Sequence, residues 1–223
     1  MSRAASAPAS RRGAEGGAPA DPCYFDEAPQ ERRPLIDYYD PHPTAALARP
    51  LALVGCYGAG APQVAYALCA RSGLPFVDLD RMIEHAAGSS LGALFVRSGA
   101  ERYHELARAA LDQGLRRRPH PVVALGPEAL RDRTIRRRVA AEATLVYLRG
   151  EPDELARRAR AQLAEQPTRF FPFLADAAAA TIERLGALLD ERREGYEEAT
   201  IVLELAGAHP HTLAEALVTR LGL

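Results

Sequence analysis

The most constraining feature of this sequence is an apolar run that passes directly into a glycine-rich turn. Residues 51–54 (Leu-Ala-Leu-Val) have the unbroken hydrophobicity that is typical of a buried strand. The turn that follows contains Gly55, Gly58 and Gly60, and the pattern after it predicts a helix over 61–71. A strand, a glycine turn and a helix in this order are the context in which a loop wraps a nucleotide phosphate.

The chemistry expected of such a loop is absent from its last two positions. The template is G-x-x-x-x-G-K-[ST], in which the lysine contacts phosphates and the hydroxyl ligates Mg²⁺. Here Gly55 and Gly60 fit the two glycines, whereas Ala61 and Pro62 stand at the lysine and Ser/Thr positions. Ala61 offers neither charge nor hydrogen bond, and Pro62 lacks both a hydroxyl and a backbone N–H. Because the chain contains no lysine at all, no displaced lysine can replace the missing one. Two interpretations stay open: a nucleotide site with altered residues, or a tight turn that holds no nucleotide.

Composition gives no support to several classes of partner. A net charge of -1 over 223 residues gives no electrostatic reason to expect binding to nucleic acid or to an acidic membrane. No apolar run approaches the roughly 20 residues that span a bilayer, and no signal peptide is evident, so we expect a cytoplasmic protein. Cys23, Cys56 and Cys69 have no metal-ligand spacing, so we expect neither a metal site nor a disulfide framework. Cys56 is either a reactive thiol or a small residue that fills the turn.

The pattern predicts an extended or disordered N-terminal arm at 1–48 and one α/β domain at 49–223. Strands are expected at 51–54, 73–78, 121–125, 143–148 and 200–205. Helices are expected at 61–71, 79–87, 90–97, 100–114, 135–141, 153–163, 176–196 and 213–221. This alternation predicts a parallel sheet with helices on both faces, whose ligands bind at the carboxyl ends of the strands. The aromatic arm, with Tyr38 and Tyr39, either packs on its own domain or docks a partner.

Five segments carry a resemblance to a known family. They are Gly55-Cys-Tyr-Gly-Ala-Gly60, Phe76-Val-Asp-Leu-Asp80, Gly99-Ala-Glu-Arg-Tyr-His-Glu105, Val122-Val-Ala-Leu-Gly126, and Glu191-Arg192 with Tyr196-Glu-Glu198. From about residue 50 to its end, the chain resembles the shikimate kinase family of P-loop phosphotransferases. The resemblance implies the P-loop kinase fold, with ATP and Mg²⁺ as cofactors where the site is active.

The resemblance also implies roles for individual residues. Asp78 would lie near the metal and the reacting hydroxyl, and Asp80 would bind substrate hydroxyls. Alternatively, Asp80 caps the helix that follows and Asp78 is its solvated neighbour. Gly126 begins the segment that meets the substrate. Arg192 stands at a carboxylate-binding position, or is an exposed helix arginine paired with Glu191 or Glu194. Arg169 would act from the lid.

Three further departures from the family pattern weaken the expected chemistry. His104 replaces an arginine that forks onto the substrate carboxylate, a geometry that histidine does not offer. The glycine triplet has become Gly126-Pro127-Glu128, and Glu128 disfavours an anionic ligand in the usual pose. The lid reads Arg169-Phe-Phe-Pro-Phe-Leu174, and its phenylalanines suit an apolar seal or a partner surface better than a polar lid.

These departures favour a pseudokinase: a shikimate kinase-like fold with a degenerate Walker A loop that acts as a ligand-sensing or protein-interaction module. Such a module would need no cofactor, and could bind a small acidic ligand or a protein through the arm or through Phe170–Phe173. The alternative is an active ATP-dependent kinase of shikimate or a related hydroxylated metabolite, in which arginines such as Arg169 replace the lysine and Mg²⁺ is required. An enzyme of different chemistry in the same pocket is a third possibility.

Overall fold

Five parallel strands form the centre of the structure, a computed structural model that describes residues 45–165, 171, 174 and 178–223. The strands are Leu51–Gly55 (β1), Phe76–Asp78 (β2), Val122–Ala124 (β3), Thr144–Arg149 (β4) and Ile201–Glu204 (β5). They lie in the order β2-β3-β1-β4-β5, with Leu53 of β1 opposite Ala124 on one side and Val146 on the other. Every residue of β1 is buried, as expected of a central strand covered on both faces.

Helices flank the sheet, which confirms the predicted fold class. They are Ala61–Ser72 (α1), Leu79–Ala87 (α2), Leu91–Leu115 (α3), Arg133–Glu142 (α4), Pro152–Glu165 (α5), Ile182–Glu197 (α6) and Pro210–Leu221 (α7), with a 3-10 turn at Ala129–Arg131 that was not predicted. From β1 the chain passes to β2 on one side of β1, and from β3 it passes to β4 on the other side of β1. The carboxyl ends of β1 and β3 therefore border the switch point of the sheet, where such folds bind ligands.

Local chemistry explains most of the helix boundaries. Gly73 ends α1 in the left-handed region, and its N–H donates to the Cys69 carbonyl at 2.8 Å. Gly99, with φ 71° and ψ -177°, breaks α3 between the two helices predicted there. The helix predicted over 176–196 was wrong at its start: the Thr181 hydroxyl accepts from the Arg184 N–H at 3.2 Å and caps α6, so that Ala180 lies outside the helix in the core.

Several predicted features lie outside the described residues. They include most of the arm at 1–48, with Tyr38 and Tyr39, and the lid positions Arg169, Phe170 and Phe173. Among the helices that are described, none is both long and apolar enough to span a membrane.

Candidate functional site

The glycine turn after β1 is buried beneath helix α5. Residues 55–59 are all buried, and the Ala59 N–H closes the turn on the Cys56 carbonyl at 2.9 Å. Gly58 has φ +87°, and a Cβ built on it would lie 2.4 Å from the Leu155 carbonyl oxygen and 2.9 Å from the Ala159 nitrogen. The backbone of α5 thus packs directly on Gly58, a position that only glycine can occupy without strain.

Helix α1 begins directly after this turn, with Ala61 and Pro62 as its first two residues. Gly60, at φ +79°, is its N-cap and provides no side-chain cap, while the Val64 N–H donates to the Gly60 carbonyl at 3.0 Å. Ala61 is buried, and Pro62 lies in the first turn, where a proline fits because no intrahelical partner is lost. The first turn therefore carries a methyl group and a pyrrolidine ring at the positions that the phosphate-loop template gives to an ammonium and a hydroxyl.

A buried ion pair links the end of β3 to helix α6. Glu128 and Arg192 are each 3% exposed. The Arg192 Nε donates to Glu128 Oε1 at 3.0 Å, and its Nη2 donates to the same oxygen. The Tyr57 hydroxyl, from the glycine turn, is a third donor to Oε1, while Arg131 Nη1 lies 3.4 Å from Oε2. One internal carboxylate therefore accepts hydrogen bonds from Arg192, Tyr57 and Arg131 together.

This cluster overturns the interpretation of Arg192 as an exposed helix arginine, because its side chain is buried and paired with Glu128, while its carboxylate-binding role stays a prediction. Its Nη1 donates to the Leu188 carbonyl at 2.6 Å, and its Cζ lies 5.5 Å from the centre of the Tyr57 ring, within cation–π range. The exposed Glu191 carboxylate is a more peripheral partner, with its Oε2 3.4 Å from Arg192 Nη1. The buried carboxylate decides the position of this guanidinium.

The charges in the cluster are mutually stabilised. Burial is the largest single effect and lowers the pKa of Arg192, but Glu128, Tyr57 and Tyr196 together outweigh it, and the net pKa lies above the ordinary value. Burial, together with Glu128, raises the pKa of Tyr57 well above its usual range, so the phenol remains a donor. Burial also raises the pKa of Cys56 to about 12, which makes a reactive thiolate at neutral pH unfavourable.

Asp80 lies in a second polar contact at the carboxyl end of β3. Its Oδ1 accepts from the buried Tyr103 hydroxyl at 3.1 Å. A Cβ on Gly126 would fall 2.3 Å from the same oxygen, so Gly126 is the residue that leaves room for this carboxylate. Asp78, not Asp80, caps α2, because its Oδ1 accepts from the Arg81 N–H at 3.2 Å. Asp80 instead belongs to the first turn of the helix.

His104 brings no permanent charge to this region. Its ring packs on Tyr103 in a T-shaped arrangement, with centroids 5.3 Å apart. Its Nδ1 is buried and has no hydrogen-bond partner among the described residues. Partial burial lowers the pKa of His104 despite the nearby Asp132 and Glu128 carboxylates, so the imidazole is neutral at pH 7.

The structure thus brings some predicted site residues together and leaves others apart. Gly126 meets Asp80, and Arg192 meets the glycine turn through Tyr57. Sequence reasoning missed Tyr57 and Tyr103, although buried tyrosines beside predicted site positions usually require a hydrogen-bond partner. In the lid segment, the structure describes the phenylalanine ring of Phe171. This ring is buried and packs edge-on against Tyr57, with the ring centroids 5.5 Å apart.

Two pockets lie near these elements, and neither includes a residue of the glycine turn. One, of about 170 Å³, is lined by Arg49, Arg136 and Thr144 among others, towards the amino ends of the strands. The other, of about 80 Å³, is lined by Arg131, Glu191 and Arg192 among others. No group of three His, Cys, Asp or Glu side chains in the described ranges could hold a metal ion.

The sheet order, the glycine turn at the switch point and the helix after it define a P-loop kinase fold. The family model described as shikimate kinase matches residues 57–221. The chain is 33% identical to a shikimate kinase of Paramagnetospirillum magneticum over 79% of its length and 88% of the relative's. It is 34% identical to that of Thermobifida fusca over 78% of its length and 95% of the relative's. The chain belongs to the shikimate kinase family.

Solved structures support the same fold. Shikimate kinase from Acinetobacter baumannii, in complex with shikimate, superposes with a TM-score of 0.67 and 24% identity, covering 77% of this chain and 92% of that one. Shikimate kinase from Bacteroides thetaiotaomicron also gives 0.67, with 23% identity over 78% of this chain and 99% of that one. At these identities the likeness concerns the fold alone.

Proposed function

We propose that this member of the shikimate kinase family is a pseudoenzyme, without phosphoryl transfer, that works as a ligand-sensing or protein-interaction module. The observation that carries the proposal is the first turn of α1. Ala61 and Pro62 supply no ammonium, no hydroxyl and one N–H fewer than a phosphate-binding turn needs. Losing one charge-assisted contact weakens binding by about 2–3 kcal/mol, or roughly 30- to 150-fold in affinity.

Burial of the loop supports this proposal. Helix α5 packs on Gly58, and Tyr57 points into the cluster with Arg192. The turn thereby contributes to the core of the protein, a role that it keeps with no nucleotide bound. A partner would then be engaged elsewhere, through the arm with Tyr38 and Tyr39 or through the lid. Because Phe171 is buried on Tyr57, the lid positions to test for association are Phe170 and Phe173.

The proposal is tested by calorimetric titration of the full chain with ATP, with and without Mg²⁺. We expect no saturable heat up to millimolar ATP. The comparison variant carries Ala61→Lys with Pro62→Ser, which restores both side chains on the same helix and should gain Mg²⁺-dependent binding. Micromolar, Mg²⁺-dependent binding by the unaltered chain would refute the proposal.

A second candidate function is an active ATP-dependent kinase of shikimate or a related hydroxylated metabolite. The observation that favours it is Asp80, whose carboxylate is held by Tyr103 at the carboxyl end of β3, where a substrate hydroxyl would be bound. A coupled ADP-release assay with shikimate and Mg²⁺ tests it. Activity that disappears in Arg169→Ala, while a distant Arg220→Ala variant keeps it, would establish this function instead.

A further inference from the structure

We propose that Glu128 is a built-in carboxylate ligand of Arg192 and closes this arginine to small carboxylic acids from solution. A ligand that enters the cleft therefore binds without an acid group at Arg192. The inference goes beyond the loss of phosphoryl transfer, because it concerns recognition of acids rather than nucleotide. It holds equally for an inactive module and for a kinase of a neutral hydroxylated substrate.

The geometry of the pair carries the proposal. A guanidinium offers several N–H groups in a planar fork and recognises a carboxylate wherever one is presented. Here Nε and Nη2 of Arg192 both donate to Oε1 of Glu128, and the Tyr57 hydroxyl donates to the same oxygen. These three donors converge on one carboxylate at the switch point of the sheet, where ligands of such folds bind. The donor set is that of an acid-binding site, and the protein's own side chain occupies it.

Glu128 holds this position against competitors because it is tethered. A side chain on the same fold acts at an effective concentration of millimolar or above, so a weak external acid does not displace it. Displacement would also leave the buried Glu128 carboxylate without Arg192, and a buried charge that loses its partner costs far more than a paired one. Removal of the Glu128 carboxylate should therefore expose a site with the shape and charge for a small acid. A pocket of about 80 Å³, lined by Arg131, Glu191 and Glu194 among others, borders the same guanidinium.

The experiment is chemical rescue of the Glu128→Ala variant of the full chain by acetate. Rescue is measured as the difference between its thermal unfolding midpoints in sodium acetate and in sodium chloride of equal ionic strength. We expect the variant to unfold roughly 10 °C below the unaltered protein in chloride, because Arg192 is left buried and unpaired. Acetate at ten times its dissociation constant should then raise its midpoint by about 3–6 °C over chloride. The unaltered protein should unfold at the same temperature in both salts.

Three variants separate this proposal from a purely structural ion pair. Glu191→Ala removes an exposed carboxylate 3.4 Å from the same arginine, and it should show neither the loss nor the rescue. Glu128→Gln fills the space and should not respond to acetate. Glu128→Ala with Arg192→Leu should lose the rescue, since the recognising cation is gone.

Two results would overturn the proposal. The first is an unfolding midpoint of Glu128→Ala that is the same in acetate and in chloride. The second is a rise of this midpoint in acetate that is just as large in the variant that also lacks Arg192. If Glu128→Ala does not fold in chloride, its refolding yield is compared between acetate and chloride instead. A yield in acetate that is no higher than in chloride rejects the proposal. Because the readout is stability, its outcome is independent of the ATP titration.

Discussion

Substitution of Gly126 by alanine tests how Asp80 is held at the carboxyl end of β3. The backbone of Gly126 is not in the left-handed region, so alanine meets no strain in φ. The alanine side chain is instead opposed by a steric clash, because the new Cβ would lie 2.3 Å from Asp80 Oδ1 and 2.7 Å from Asp80 Cγ. The carboxylate must therefore move, and the hydrogen bond that it accepts from Tyr103 at 3.1 Å must lengthen or break.

The magnitude follows from the burial of Tyr103, which is 1% exposed. A buried hydroxyl that loses its partner costs about 1–3 kcal/mol, and crowding by an added methyl group costs about 1–3 kcal/mol. The two effects overlap, because the movement that relieves the crowding is the one that breaks the bond. We expect a net loss of about 2–4 kcal/mol, or roughly 4–16 °C in the unfolding midpoint.

The assay is urea and thermal unfolding of Gly126→Ala, Tyr103→Phe and the double variant. In the Tyr103→Phe background the alanine should cost at least about 1 kcal/mol less, since the hydrogen bond is already absent. Gly114→Ala is the control. Gly114 lies in α3, and its Cβ would make an ordinary contact of 3.4 Å with the Val77 side chain, so this substitution should change stability by less than about 1 kcal/mol. Additive losses within about 0.5 kcal/mol would refute the coupling between Gly126 and Tyr103 through Asp80.

Three further predictions concern the loop, a helix cap and the thiols. Gly58→Ala should destabilise by more than about 3 kcal/mol in urea unfolding, since both its φ and the α5 backbone oppose a side chain, whereas Gly88→Ala, with φ +61° and open space, should lose only about 1 kcal/mol. Partial burial alone would raise the pKa of Asp132, but hydrogen bonds from the start of α4 and from an arginine lower it. Asp132→Ala should therefore lose about 1 kcal/mol at pH 7, and this difference should vanish as the pH falls through the lowered pKa, below the ordinary value near 4. In a Cys23→Ser variant, Cys56 and Cys69 should not react with a disulfide reagent at pH 8 until the protein unfolds, because burial raises the pKa of both thiols to about 12.

The order and type of most elements could be predicted because their signals are local. The apolar run before the glycine turn produced β1, and Gly73 and Gly88 ended their helices as expected. Propensity failed where a side chain competed with it. Four consecutive alanines over 177–180 favour a helix, yet α6 begins only after the Thr181 cap, with Ala180 in the core.

The candidate site was predictable in part. The resemblance identified Asp80, Gly126 and Arg192, and these positions do lie at the carboxyl end of the sheet or in the cluster beside it. Their roles stay predictions. The sequence suggested that Glu128 would repel an anion, but it gave no indication that this carboxylate is itself bound by Arg192. The interpretation of Asp80 as the helix cap was wrong because α2 begins at Leu79, as the predicted range 79–87 already required, so that Asp78 precedes the helix and Asp80 lies in its first turn.

By itself, the sequence determined the alternation of strands and helices, the glycine turn, and the loss of lysine and hydroxyl after it. These properties depend on side-chain period, on glycine's freedom at positive φ and on residue identity, all of which are local. Only the tertiary structure decided what Arg192 binds. Its partner Glu128 is 64 residues away in the chain, and Tyr57 is 71 residues from Glu128. A buried charge must be paired, and folding alone determines which groups come close enough to pair with it.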